Sequence, residues 1–416
     1  MKVMRIFSFI TVLYLILLGF VISSCDKEDI PDVPKESKRT VLMYLVGKSN
    51  LSKALMDDFN EIKKGFELYP NDEDINLIVF ISNNGKYHTP TLLRLKKEKN
   101  THSIIEEEIM TYSKGEDPEN SIDPDVMERI MLDAFLAYPA QSYGLVMSSH
   151  ADGWLPFPEI QMRSFGVEVE DNGKSIKSIN IVDLALVLER VTKKMGSKLD
   201  YLLFDACLMQ SVEVAYELRH SVNFLIGSPA EIPVAGGAYD IMAPALFDLT
   251  SGFNINIVNS FFCNYADEYN GLAISSINTE YLEEFAELTQ TILLNSLEVN
   301  QEVSIGDEAD FPSYDGARTD KHYFERSFYH DIYSLMGLIV EEKDIHLLAK
   351  WKDLYDKMVY YKHTDYVYSD LSGNSISMEK THGVSCYIPR KGYEIMTTYY
   401  KQYQWYEVGG WKDLGW

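Results

Sequence analysis

The chain has 416 residues, 46% of them hydrophobic, with 63 acidic against 38 basic side chains and a net charge of −25. That is chain enough for a large core, and the ordinary apolar fraction excludes a low-complexity polymer. The negative field excludes nucleic acid and anionic lipid headgroups as partners and favours cationic substrates.

The N-terminus reads as an export segment. Met1-Lys2-Val3-Met4-Arg5 is a short basic start, residues 6–22 are apolar and uncharged, and Val21-Ile22-Ser23-Ser24-Cys25 follows. This order is that of a secretory signal peptide over residues 1–24 rather than a membrane anchor. A Cys directly after two small residues resembles a bacterial lipobox, which makes Cys25 the lipidated first residue of the mature protein. Residues 25–38, acidic and Pro-containing, read as a tether. The body is then expected in the cell envelope, outside the cytoplasm and lipid-anchored, toward the outer-membrane surface. With Cys25 lipidated, Cys207, Cys263 and Cys386 remain, an odd number that leaves at least one thiol unpaired or held for chemistry.

From residue 39 the pattern is α/β. Residues 40–46 (TVLMYLV) and 75–81 (INLIVFI) are apolar runs expected of strands covered on both faces, with helical spacing between them at Leu51, Leu55, Phe59 and Ile62. A β excursion follows over 92–110. Asp123-Pro124-Asp125 predicts a helix start, with the helix continuing to about Tyr138. Strands are expected at 143–149, 199–204 and 223–227, and helices at 180–195 and from Ser211 to about His220. Strands alternating with helices predict a parallel sheet with helices on both faces. Residues 39–250 read as the core. Residues 251–416 read as a C-terminal α+β lobe, with helices near 281–296 and 330–360 and short strands near 272–276 and 383–388.

Two chemistry-bearing residues follow strand ends. His150 comes directly after the third parallel strand and Cys207 just after the fourth, in Phe204-Asp205-Ala206-Cys207-Leu208-Met209. Sites of open α/β sheets gather beyond the carboxyl ends of strands, so one crossover brings imidazole and thiol to one rim. A neighbouring imidazole and a following helix N-terminus both favour thiolate. A buried core thiol and a surface histidine are the competing readings, and the joint placement favours a dyad.

These segments resemble the clostripain family of cysteine peptidases: Thr40-Val41-Leu42-Met43-Tyr44-Leu45 with Asn50-Leu51, Ser149-His150 with Gly153-Trp154, Asp205-Ala206-Cys207-Leu208-Met209, Ser211–Leu218, Gly227–Glu231, Gly383–Pro389 and the closing Gly415-Trp416. The resemblance implies a caspase-like fold and cleavage after Arg or Lys, with Cys207 as nucleophile and His150 handling protons. It also implies an oxyanion held by the backbone N–H groups of Ala151 and Cys207, and Asp205 in the pocket for a basic side chain. Two departures stand out. Ala151 replaces the usual Gly after the histidine. Ala235, with Gly237 or Ala238, stands where relatives often carry an acidic residue and a Trp, which removes the expected second carboxylate. The family's self-activation points to a cut after Arg163, with Lys174 and Lys177 as rivals in what reads as a loop.

No metal motif or organic cofactor is expected, and calcium enters only through the family. Asp57-Asp58, Asp72-Glu73-Asp74 and Asp307-Glu308 with Asp310 lack EF-hand spacing and read as solvated surface. The leading reading is a lipid-anchored endopeptidase acting on peptides or protein loops. A catalytically inactive peptidase-fold binding lipoprotein is the alternative, and a glycan-capture lipoprotein, suggested by 28 Tyr, leaves the dyad placement unexplained.

Overall fold

The computed structural model describes residues 36–70, 74–98, 101, 103–155, 165–169, 176–266, 270–306, 310–316, 327–370 and 372–416. Cys25, Arg163 and Lys174 lie outside them. In chain order the main layers are β1 (Ser37–Gly47), α1 (Ser52–Leu68), β2 (Ile75–Asn83), β3 (Thr91–Lys97), β4 (Ile104–Thr111), α2 (Pro124–Phe135), β5 (Ala140–Ser148), α3 (Ile181–Met195), β6 (Leu199–Asp205), α4 (Val212–Leu218), β7 (Val222–Gly227), α5 (Tyr239–Leu246), α6 (Phe253–Cys263), β8 (Ala273–Asn278), α7 (Leu282–Ser296), α8 (Ile332–Ile339), α9 (Ile345–Met358) and β9 (Val359–His363).

The nine strands form one sheet in the order β9-β8-β7-β6-β5-β1-β2-β3-β4. The central strands β2, β1, β5, β6 and β7 are parallel. Antiparallel pairs β3–β4 and β8–β9 close the two edges. The apolar runs of the central strands follow from this burial. Val41, Met43 and Leu45 point into one core with Leu55, Phe59, Ile62 and Phe66 of α1 and residues of α5 and α6. Leu42, Tyr44 and Val46 point into the other with α2, α3 and α7. Alternate side chains thus serve opposite layers, which a strand's period of two requires.

Helix signals act where the sequence puts them. Asp123 caps α2 by accepting from the N–H groups of Asp125 and Val126, with Pro124 in the first turn. Gly196 ends α3 in the left-handed conformation at φ 77, after Lys193 and Lys194 in the last turn.

Four expectations change. The helical span expected over 330–360 is two helices, α8 and α9, followed by strand β9, where extended Val359 and the aromatic Tyr360-Tyr361 suit a sheet edge. The strand expected at 383–388 shrinks to Ser385–Cys386. Helix α2 ends at Phe135 rather than near Tyr138. Lys177 lies in a hairpin of Phe165–Val169 with Ile176–Ile179, not in a loop. Residues Glu36–Trp416 form one compact unit, so the stretches 39–250 and 251–416 share it.

Candidate active site

Sheet topology sets the site. The chain goes from β1 outward to β2, then returns across β1 to β5 and continues through β6 to β7. The order therefore reverses between β1 and β5, and crevices open beyond strand carboxyl ends at such reversals. Ser148 of β5 pairs with Leu45 of β1 on one side and Asp205 of β6 on the other. His150 and Cys207 each lie two residues beyond that register row, on strands about 4.8 Å apart. Both open onto one cleft of about 410 Å³, with Ala151, Asp152, Asp205, Asp58 and Glu231 also in its walls. A larger groove of about 1060 Å³, around Lys38, Asp74 and Asp248, lies at the opposite end of the strands and holds none of the candidate residues.

His150 is fixed from the turn between β1 and α1. Its Nε2 lies 2.6 Å from Asn50 Oδ1. An amide oxygen only accepts, so Nε2 carries the hydrogen and Nδ1 is the basic nitrogen of the neutral ring. The backbone is tied down as well. Ser149 Oγ donates to Val46 O at 2.8 Å, and Gly166 N–H donates to His150 O at 3.0 Å.

Ala151 pairs with Phe165 as an antiparallel bridge. It is not among the residues with positive φ, so its Cβ strains nothing. The glycine requirement falls at Gly153 instead. Its φ is +57, and a Cβ there would lie 2.3 Å from Leu208 O. Trp154, fully buried, packs on Tyr387 with ring centroids 4.7 Å apart and anchors the turn.

The turn after Cys207 carries strain. Leu208 has φ 61, rare for a bulky residue, and costs about 1–2 kcal/mol. Full burial of its side chain and a Leu208 N–H bond to Ala230 O at 2.9 Å hold it there. Ser211 caps α4 by accepting from Val214 N–H at 3.3 Å. The Cys207 sulfur accepts from Ile232 N–H at 3.4 Å.

The thiol itself differs from expectation. Burial, with smaller contributions from Glu231, Asp152 and Asp205, pushes Cys207 up to about 12, while Ile232 N–H opposes the rise. Part of the residue's surface still reaches the cleft, so the burial is that of the sulfur's surroundings. The helix N-terminus expected to favour thiolate begins four residues on, past the Leu208 turn, and burial, with the carboxylates adding to it, raises the thiol.

Asp205 is buried, at 3% exposure. Its Oδ2 accepts from Gly237 N–H at 3.1 Å and Tyr239 O–H at 2.7 Å. Its Oδ1 has no partner. The segment 233–240 therefore supplies donors, not a second acid. Gly236 lets it approach, since a Cβ there would lie 2.6 Å from Asp205 Oδ2. Helix α1 brings a further buried carboxylate to the cleft: Asp58, also 3% exposed, lines it beside Asp205, as does Glu231 at 9% exposure. This corrects the solvated-surface reading of Asp57-Asp58. Both carboxyls are raised, first by burial; for Asp58 the Asp205 charge comes next, and for Asp205 Tyr239 O–H and Gly237 N–H oppose the rise.

A family model described as the Clostripain family matches residues 43–416. This chain belongs to the clostripain family. As a clostripain-family chain it is 27% identical over 225 residues to clostripain of Hathewaya histolytica, a match covering 50% of this chain and 41% of that protein's length. A secreted C11 cysteine protease from Bacteroides thetaiotaomicron, solved with an irreversible peptide inhibitor, superposes with a TM-score of 0.76 at 32% identity, over 90% of this chain and 99% of that one. An inactive zymogen C11 protease from Parabacteroides distasonis superposes at 0.71 with 25% identity, over 90% and 99%. The clostripain-family chain is thus of the cysteine-type endopeptidase class, on the α/β fold expected.

Asn50 and Asp58 are the site residues that sequence reasoning missed. Asp58 was visible as a polar residue seven positions after Leu51 and three after Leu55, on the inward stripe of a helix. Among the described residues no three His, Cys, Asp or Glu side chains converge as a metal site requires.

Proposed function

We propose that this clostripain-family chain hydrolyses peptide bonds with a Cys207/His150 dyad, preferring Arg or Lys before the scissile bond, as a lipid-anchored protein outside the cytoplasm. The observation that carries the reading is the opening of Cys207, His150 and Asp205 onto one cleft from matched positions on adjacent strands. His150 takes the Cys207 proton as Sγ attacks the carbonyl carbon. The tetrahedral oxyanion rests on the N–H groups of Ala151 and Cys207. Collapse breaks the C–N bond, His150 returns its proton to the leaving amine, and water then releases the acyl group from sulfur. Asp205 meets the basic side chain of the residue before the bond. The anchor rests on residues 1–25, and Cys25 is its lipid site.

Turnover of fluorogenic peptides by residues 26–416, against Cys207→Ala, tests the reading. Cleavage after Arg or Lys that vanishes in the variant supports it, and cleavage only after neutral residues removes the basic pocket. We further propose self-cleavage after Arg163. Intact mass of mature protein beside Cys207→Ala tests it, and one uncut chain in both rejects it. The inactive binding-protein reading has one observation in its favour, the thiol pushed up to about 12. Absence of turnover, even after a deliberate cut near Arg163, would select it.

A further inference from the structure

The acid that residues 233–240 fail to provide has another source. Leu51, just before helix α1, and Leu55 and Asp58 on it line the cleft, and Asp205 faces it from the end of β6. The two carboxylates come from different layers of the fold and are both nine-tenths buried. Asp205 is held by one oxygen only. Gly237 N–H and Tyr239 O–H take Oδ2, while the buried Oδ1 has no partner. A buried carboxylate oxygen left without a donor is costly, so this arrangement is built for a donor that arrives from outside.

We propose that Asp58 is a specificity-determining residue of this peptidase, the second carboxylate of the pocket that receives the basic side chain before the scissile bond. This rests on the basic preference proposed above and adds where its second charge resides.

Two buried like charges cannot both ionise without a counter-charge, so the empty pocket holds about one proton between them. Asp58 also faces Asp57 and Glu61 on its own helix, and Tyr239 and Tyr265 from across the pocket. None of these is cationic. Asp152, Glu231 and Asp370 line the same cleft and add to its negative field. The Asp58–Asp205 pair itself carries close to one negative charge, which one guanidinium or ammonium offsets. A cation beside the pair favours its ionised form, so binding releases part of the shared proton. A neutral side chain of the same shape leaves the charge buried and unpaired, and the pocket rejects it.

The test compares paired peptides differing only in Arg or citrulline before the bond, with wild type and Asp58→Asn. Asn has the shape of the protonated acid, so the fold should persist, and thermal melting checks this. Wild type should favour Arg by at least a hundredfold in kcat/KM. Asp58→Asn should narrow that ratio by roughly ten- to hundredfold, the range of a lost charge-assisted bond, chiefly through KM. Asp58→Glu should restore part of it. An Arg preference equal in wild type and Asp58→Asn overturns the role of Asp58 and leaves the basic preference standing. No Arg preference in wild type overturns both. Titration of N-acetyl-arginine amide into Cys207→Ala in two buffers of different ionisation enthalpy adds a binding readout. Proton release that persists in Asp58→Asn/Cys207→Ala also overturns the proposal.

Discussion

The protonated state of Cys207 makes a quantitative prediction about reactivity. With the thiol pushed up to about 12, the thiolate fraction at pH 8 is on the order of 10⁻⁴. An ordinary exposed thiol, with pKa about 8.5, is about one quarter thiolate there. Alkylation by iodoacetamide should therefore run roughly a thousandfold slower at Cys207 than at the cysteine of a short unstructured peptide in the same tube. The Cys263→Ser variant removes the exposed thiol, and Cys386 is buried, so peptide mapping reads Cys207 cleanly. The logarithm of the rate should climb with unit slope from pH 6 to 10 without a plateau. Glu231, Asp152 and Asp205 all raise the thiol, and a cation in the pocket screens them. Saturating N-acetyl-arginine amide should then speed alkylation several-fold, though not to the free-thiol rate, because burial is the larger cause. A plateau below pH 7 would mean a preformed thiolate–imidazolium pair and would refute this reasoning.

Three further outcomes follow from single contacts. The His150–Asn50 bond is solvent-exposed, so Asn50→Ala should lower kcat only about three- to tenfold, the range of a neutral hydrogen bond, with KM nearly unchanged; an equal rise in KM would count against a positioning role. Gly153→Ala places a methyl 2.3 Å from Leu208 O at positive φ, so it should cost more than about 2 kcal/mol in denaturant unfolding and abolish turnover, whereas a near-wild-type midpoint would contradict the turn geometry. Glu213 is fully buried, with Oε2 lacking a partner, and burial raises it to about 7. A raised carboxyl stabilises the fold at low pH, and that stabilisation is lost as pH climbs from about 4.5 through 7, on the order of 3 kcal/mol in all. The stability difference between Glu213→Gln and wild type should therefore shift in the variant's favour across that window, and a pH-independent difference would rule the titration out.

How far the sequence could be read depended on whether the signal was local. The unbroken apolar run at 40–46 and the Asp123-Pro124 cap describe backbone and burial within a few residues, and both hold. His150 and Cys207 were placed by strand order alone, which is enough because parallel neighbours carry a fixed register. Asp58 was not legible as a site residue. Its partner Asp205 is distant in sequence, and a single polar residue on an apolar stripe looks the same whether it faces a cleft or solvent. Helix proximity to Cys207 is visible in sequence, whereas the burial and the Glu231 and Asp152 charges that raise its thiol come together only in the folded chain. Helix α5 is not legible because Gly236-Gly237 before it and Pro244 within it punctuate the region like a loop.

Asn50 and Asp58 both come from the β1–α1 segment, so the partner of the imidazole and the acid of the pocket ride on one element. Helix α1 is located by close packing against α5, which begins at Tyr239, the residue whose hydroxyl holds Asp205. Gly65 marks the crossing: a Cβ there would lie 2.5 Å from Tyr239 O and 2.9 Å from Ala243 Cβ. Its φ is not in the left-handed region, so Gly65→Ala acts by pushing the helices apart rather than by straining its own backbone. Overpacking of this kind costs about 1–3 kcal/mol. Because it separates Asp58 from the Tyr239–Asp205 pair, it should also narrow the preference for Arg over citrulline, without touching any group in the cleft. Lowered stability with an unchanged preference would show that the pocket does not depend on the α1–α5 spacing. A narrowed preference, in a protein that still melts cooperatively, would establish that this packing sets the distance between the two acids.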